Sequence, residues 1–158
     1  MAIDRLSQAG SARAFRFPRP SLHKGQHPFD VSYSGLKTAA VNQLDQFWDR
    51  DFEKSKENIA ASFQATAIDI LVDRTVKAAD REGLRRIVVG GGVAANSYLR
   101  KRLNEQPELE VIFPSLRLCT DNAAMVAGLG YQLLRRGERS DLSLNARARV
   151  KGLRRTYP

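Results

Sequence analysis

The residues best suited to bind a ligand are three consecutive glycines, Gly90 to Gly92, between an apolar stretch and a basic stretch with helical spacing. Glycines at the junction of a strand and a helix let the backbone approach a ligand closely, and the helix N-terminus offers N–H groups to an anion. Asn96 follows in the first turn of that helix, where its amide can cap the helix or contact a ribose or a base edge. The pattern favours a phosphate or nucleotide cradle, with tight strand–helix packing as the alternative.

The glycines also satisfy G-x-G-x-x-G/A, the pattern of dinucleotide-binding folds. That fold needs an acidic residue about 20 positions farther along, at the far end of the next strand. The next predicted strand covers residues 111–113, and its acids, Glu108 and Glu110, stand at its start instead. The glycines also follow two predicted helices rather than opening a first strand–helix–strand unit. We therefore set the dinucleotide hypothesis aside.

Asp121 lies just before the last predicted helix, where a carboxylate is suited to cap the helix. Another group has the residue types of metal ligands. His23 and His27 have the i, i+4 spacing of a helical metal pair, but a glycine separates them and a proline follows. We interpret the histidine pair as a solvated loop and not as a metal site.

The composition indicates a soluble globular domain, with 158 residues, 42% hydrophobic and 27% charged. Lys and Arg number 26 against 17 acids, a net charge of +9 that favours a polyanionic partner such as nucleic acid. We predict a basic tail at 138–158, which serves either nucleic-acid contact or solubility. No apolar run approaches the ~20 residues that cross a bilayer, and a single cysteine, Cys119, is typical of a reducing compartment. We expect a cytoplasmic protein without membrane association.

The elements that would position these residues are predicted in the order β-β-α-α-β-α-β-α. The predicted strands are 14–20, 29–33, 86–90 and 111–113, and the predicted helices are 34–48, 55–82, 95–105 and 123–137. Ser34 is the expected N-cap of the first helix, and the strand 86–90 is expected to be central and buried. Because strands and helices alternate in the second half, the sequence predicts parallel strands joined by crossover helices in an α/β layered domain.

Three blocks of this sequence closely resemble the C-terminal part of the TsaD family. They are VSYSGLKT at 31–38, VVGGGVAANSYLR at 88–100 and FPSLRLCTDNAAM at 113–125, with FPRP at 17–20 upstream. The resemblance covers residues 3–135 in the family's order and at similar spacing. It implies one lobe of an actin-like, sugar-kinase-like (ASKHA) ATPase fold, a layered parallel or mixed sheet with crossover helices. Residues 1–137 would form this lobe, and 138–158 would form the tail.

The same resemblance implies an activity and a site. The family transfers a threonylcarbamoyl group from threonylcarbamoyl-AMP to N6 of the adenosine next to the anticodon of tRNA. By position, its nucleotide-binding asparagine matches Asn96, with Gly91 and Gly92 in the preceding loop, and its metal-binding aspartate matches Asp121. The metal is expected to be iron, with zinc as the alternative, and the ligand threonylcarbamoyl-AMP or ATP. No residue is assigned as a general acid or base.

The family's N-terminal lobe, with the two histidines that complete the metal site, has no counterpart in these 158 residues. We therefore expect a fragment that binds nucleotide weakly and has no measurable transferase activity by itself. Its expected partners are tRNA, the missing N-terminal lobe and TsaB-like and TsaE-like proteins. The alternative is a non-catalytic remnant that keeps the fold and the basic surface and binds tRNA or a partner protein.

Overall fold

A computed structural model describes residues 2–19, 29 and 33–145 of the chain. Within these residues lie five α-helices and two strands: α1 Ala2–Ser7, α2 Tyr33–Asn42, α3 Lys56–Arg81, β1 Arg86–Val88, α4 Ser97–Asn104, β2 Glu110–Ile112 and α5 Ala123–Arg135. Short 3-10 turns cover Leu44–Gln46, Gly92–Ala95 and Leu116–Leu118. The chain divides after Asp121 into two compact units. None of the described helices is long and apolar enough to cross a bilayer.

The helix α3 is the centre of the first unit. Ser55 caps its start by accepting a hydrogen bond from the Asn58 N–H, and Gly83, at a φ of +65°, follows its end. Alanines on its buried face allow neighbours to approach closely. A Cβ added at Gly10 would overlap the backbone carbonyl of Glu57, so the turn after α1 rests directly on the first turn of α3.

Two apolar clusters pack against opposite ends of α3. The first contains Phe15 and Phe17, whose rings stack with centroids 5.8 Å apart, together with Leu36 of α2. The second joins Ile68 and Val72 of α3 to two leucines of α4 and to the strands. The second cluster therefore fixes the position of α4, and of the glycine loop that precedes it, against α3.

The two strands are parallel, with Ile87 paired to Val111, and α4 is the crossover between them. This confirms the predicted parallel arrangement of the second half. The expectation that the first of these strands is central and buried is wrong. The cluster of α3 and α4 residues packs against Val89 and Val111, while Val88, whose side chain points to the opposite face, is 74% exposed. Among the described residues, β2 is the one strand that pairs with β1.

Several other predicted elements are also wrong. The predicted strand 14–20 is wrong for its described residues 14–19, which make a single antiparallel bridge, from Phe15 to Trp48, before Pro18 interrupts the hydrogen-bonding pattern. Tyr33 begins α2 instead of ending a strand, and Phe29 lies in a turn, while residues 30–32 lie outside the described residues. Ser34 is therefore the second residue of α2 and not its cap.

The helix α5 is the regular element of the second unit among the described residues. Asn122 caps it by accepting a hydrogen bond from the Met125 N–H at 3.2 Å. None of its residues is buried, and its apolar side chains Val126 and Leu129 are exposed. A Cβ added at Gly128, within this helix, would meet no atom of the described residues within 4 Å.

Candidate functional site

The glycine loop leaves β1 as an open stretch of backbone. Gly91 has a φ of +83° and a ψ of 175°, a conformation that is essentially restricted to glycine. A Cβ added at Gly90 or Gly91 would meet no atom of the described residues within 4 Å, so these residues leave the space beside the loop open. A 3-10 turn over Gly92–Ala95 then separates the loop from α4, which begins two residues later than predicted.

Asn96 uses both ends of its carboxamide within the protein. Its Oδ1 accepts a hydrogen bond of 2.9 Å from the Leu99 N–H and so caps α4, and its Nδ2 donates one of 2.9 Å to Oε1 of Gln64. The capping role that the sequence allowed is thus confirmed. An amide has two N–H bonds and two acceptor lone pairs, so the hydrogen bonds among the described residues use one of each and leave one of each at Asn96. Nucleotide contact by Asn96 stays a prediction.

A second polar group reaches the same helix end from α1. The Asp4 carboxylate accepts hydrogen bonds from the Ser97 N–H at 3.3 Å and from the Ser97 hydroxyl at 2.7 Å. With Ser97 and Leu99 engaged, the expectation that the α4 N-terminus offers these N–H groups to an anion is wrong. Asn96 and the carboxylate of Asp4 thus both lie at the start of α4, a few residues after the glycine loop.

A shallow cavity of about 660 Å³ lies beside Asp4 and Ala95. Its volume falls in the range of small-molecule sites, roughly 300–1,000 Å³. Arg5 is the one basic residue in its lining. The cavity thus brings together an acidic acceptor and a cation next to the 3-10 turn that follows the glycines. Neither Asp4 nor Arg5 was predicted, since α1 has only six residues and gives no periodic signal.

Arg100 holds the glycine loop against the segment that contains Asp121. Its Nε donates to Ala94 O at 2.7 Å, and its Nη2 donates to Pro114 O at 2.7 Å and lies 3.4 Å from Cys119 Sγ. A Cβ added at Gly92 would lie 4.0 Å from Cγ2 of Thr120. One guanidinium therefore joins the turn after the glycines, the chain beyond β2 and the residues just before Asp121.

Asp121 itself is exposed, and the cap of α5 is its neighbour Asn122. The helix-cap interpretation of Asp121 is therefore wrong. An exposed carboxylate suits a divalent metal as one oxygen ligand. No group of three His, Cys, Asp or Glu that could hold a metal occurs among residues 2–19, 29 and 33–145. The predicted solvated loop with His23 and His27 lies outside the described residues.

An ionic cluster behind the site joins α3 to α4. Asp69 accepts a hydrogen bond of 2.9 Å from Arg102 and lies 3.4 Å from the hydroxyl of Tyr98 and from Arg19 of the FPRP segment. Burial, and then the charge of Asp69, raise the pKa of Tyr98 above its ordinary value. The hydrogen bond to Asp69 raises the pKa of Arg102. The cluster fixes the turn of α4 that follows Asn96.

Comparison with known proteins matches residues 1–128 to the family described as TsaD, tRNA N6-adenosine threonylcarbamoyltransferase. The chain is 57% identical over 150 residues to a protein of that name from Treponema denticola, covering 95% of this chain and 44% of the relative. It is 51% identical over 148 residues to the Treponema pallidum protein, strain Nichols (94% and 42%), and 46% identical over 152 residues to the Thermosipho africanus protein (94% and 45%). The chain thus spans less than half the length of these relatives.

Proposed function

Because the chain belongs to the TsaD family of tRNA N6-adenosine threonylcarbamoyltransferases, we propose that it supplies part of the adenylate-binding site of such an enzyme. The family match confirms the resemblance expected from the three sequence blocks. The described elements, helices around a small parallel sheet, are compatible with one lobe of an actin-like, sugar-kinase-like fold. The observation that carries the proposal is the open glycine loop, followed at the start of α4 by Asn96 and by Ser97, which binds the Asp4 carboxylate.

Each group has a role that its chemistry supports. Gly91 and Gly92 let the ligand approach the backbone, and the free N–H and lone pair of Asn96 suit a ribose or a base edge. The carboxylate of Asp4 accepts hydrogen bonds and repels phosphate, so it suits ribose hydroxyls. Arg5, in the same cavity lining, suits the phosphate. The ligand class is threonylcarbamoyl-AMP or ATP, bound through its adenosine part.

Asp121 fits a metal as one oxygen ligand, and the remaining ligands would come from outside the described residues. The metal proposed is iron, with zinc as the alternative. When bound, it would act as a Lewis acid towards oxygen atoms of the adenylate. Arg100 keeps the Asp121 segment next to the glycine loop, and therefore next to the proposed adenylate.

The transfer itself would go to N6 of the adenosine next to the anticodon of tRNA, and the net charge of +9 supports a nucleic-acid partner. The other proposed partners are the N-terminal lobe and TsaB-like and TsaE-like proteins, in the cytoplasm. Residues 1–137 would form the lobe and 138–158 a basic tail. We expect no transferase activity from this chain by itself, since one carboxylate does not complete a metal site.

The test is to measure AMP binding by the purified chain in an NMR titration. Asn96→Ser should weaken AMP binding about tenfold, because serine keeps the helix cap but lacks the amide. Asn104→Ser, at the other end of α4, is the matched control and should leave binding unchanged. A chain that binds tRNA but no AMP would instead support the alternative, a non-catalytic tRNA- or partner-binding remnant of the family.

A further inference from the structure

One buried side chain links the two polar groups of the proposed site. Gln64 of α3 is 6% exposed, and among the described residues the only other buried polar side chain is Ser62. Its Oε1 accepts the hydrogen bond from Asn96 Nδ2 at 2.9 Å, and its Nε2 donates one of 2.8 Å to the hydroxyl oxygen of Ser7. A glutamine in the buried face of a long helix needs such partners, because a buried polar group without them is costly.

These bonds close a ring that runs through three helices. The Ser7 hydroxyl donates to the backbone carbonyl of Asp4 at 2.8 Å, and the Asp4 carboxylate accepts from Ser97, the residue next to Asn96. The ring thus passes from α3 to α1, from α1 to the start of α4, and from there back to α3. Every step is a hydrogen bond or the covalent chain, so no member can shift without breaking a bond.

The directions of the two hydrogen bonds that Gln64 makes are fixed by backbone groups on either side of it. The Leu99 N–H can only donate, so Oδ1 of Asn96 must face it and Nδ2 must face Gln64. The Asp4 carbonyl can only accept, so the Ser7 hydroxyl donates to it and receives a bond from Gln64. Gln64 must therefore accept on one side and donate on the other. Among side chains of this length, a carboxamide or a protonated carboxyl group does both.

We propose that Gln64 is a positioning residue that sets the separation between the Asp4 carboxylate and the Asn96 carboxamide, and thereby the affinity of the site for a ribose-bearing ligand. The inference rests on the proposed adenylate site. Gln64 acts through its two neighbours, since its own amide is engaged by Asn96 and Ser7. It also holds α1, which lines the cavity, against α3.

The experiment compares two substitutions of Gln64 in the full chain, with AMP as the ligand. Gln64→Met keeps the volume and removes both hydrogen bonds, so AMP binding should fall about tenfold. The Ser97 and Leu99 amides, which donate to Asp4 and Asn96, should exchange with solvent faster. Thr66→Val, which removes a hydroxyl bonded within α3 itself, is the matched control and should change neither measurement.

Gln64→Glu adds a pH profile that simple packing would not produce. A protonated carboxyl group can accept from Asn96 and donate to Ser7, whereas a carboxylate cannot donate. Burial raises the pKa of a carboxyl group, so this variant should bind AMP almost normally at about pH 5 and about tenfold more weakly at pH 8. Tyr98 and Lys101 of α4 are the titratable groups that line a surface cavity together with Gln64, and Asp4 of α1 is linked to Gln64 through Ser7. They are shared with the wild type, whose own profile is the reference.

The outcomes separate this inference from the function on which it rests. If Gln64→Met lowers the melting temperature but binds AMP as well as the wild type, Gln64 is only a packing residue and the inference is overturned. If the wild type binds no AMP, the proposed function fails. Faster exchange at Ser97 and Leu99 in Gln64→Met would then still support the positioning role, and unchanged exchange would overturn it.

Discussion

The carboxylate of Asp4 accepts hydrogen bonds from the hydroxyl and the backbone N–H of Ser97, at 2.7 and 3.3 Å. The two residues lie 93 positions apart, and their contact fixes α1 against the start of α4. A carboxylate at this position also meets the positive end of the α4 dipole, which stabilises the helix. Both the geometry of the proposed site and part of the stability of α4 therefore depend on this pair.

Replacing Asp4 with asparagine tests the electrostatic part of that contact. Asp4→Asn keeps an acceptor oxygen but loses the charge, so the free energy of unfolding should fall by about 0.5–1 kcal/mol at low salt. Urea denaturation measures the change. Asp51→Asn, an exposed acid outside the helices, is the control and should have no effect. A loss of equal size at about 1 M salt would contradict an electrostatic origin.

The contacts of Arg100 predict the reactivity of the single cysteine. Cys119 is 2% exposed and lies under the guanidinium that also binds Ala94 O and Pro114 O. Lysine cannot make these planar, divergent contacts, so Arg100→Lys should loosen the segment and speed thiol labelling of Cys119 about tenfold, the effect of ~1.4 kcal/mol on a local opening equilibrium.

The neighbouring arginine supplies the control for this labelling experiment. Arg102→Lys makes the same chemical change on the same helix, but Arg102 binds Asp69 and Glu105 instead of the cysteine segment. Its labelling rate should match that of the wild type. Equal acceleration by both variants would mean that the whole of α4 has loosened, and that Arg100 has no specific role at Cys119.

The limits of the long helix and the pairing of the strands can be predicted from nearby residues in the sequence, whereas the contacts that build the candidate site cannot. The limits of α3 are predicted to within a residue, because Ser55, the apolar spacing and Gly83 all act within one helix. The parallel pair β1 and β2 follows from the alternation of short elements. In contrast, Asp4 meets Ser97 across 93 positions and Gln64 meets Asn96 across 32. The hydrophobic periodicity of the sequence does not predict such contacts, because each depends on how separate helices pack.

The burial of Tyr98 predicts how stability depends on alkaline pH. Burial first, and then the Asp69 charge, raise the pKa of Tyr98 above 10.0. Since its pKa is higher in the folded state, folding favours the neutral phenol. The neutral phenol of Tyr98 therefore contributes to the free energy of unfolding. This contribution is complete at pH values below the pKa of tyrosine in the unfolded chain, about 10, and is lost as the pH rises through the pKa of Tyr98 in the folded state.

Urea denaturation of Tyr98→Phe at several pH values measures this contribution. The difference in the free energy of unfolding between wild type and variant should be constant from about pH 7 to 9 and should fall above about pH 10. Tyr131→Phe, an exposed tyrosine of α5, is the control. A difference that grows with alkaline pH would show that the neighbours of Tyr98 favour its ionised form, contrary to the geometry.

The two adjacent glycines of the loop provide a matched pair of backbone substitutions. Neither Gly90 nor Gly91 has any atom within 4 Å of an added Cβ, so neither alanine would clash. Only Gly91 has a positive φ, +83° with a ψ of 175°. Gly91→Ala should therefore lower the free energy of unfolding by about 1–3 kcal/mol through backbone strain alone. Gly90→Ala should change it by less than about 0.5 kcal/mol.

The same two substitutions distinguish two requirements for AMP binding: the backbone conformation of the loop and the open space beside it. Gly91→Ala would relieve its strain by shifting the loop, so it should weaken AMP binding at temperatures where the chain is still folded. Gly90→Ala keeps the backbone and adds one methyl group, so it weakens binding only if the ligand approaches the loop at that residue. NMR titration with AMP, alongside urea denaturation, measures both effects. Equal stability of the two variants would contradict the positive φ of Gly91, whatever their affinity for AMP.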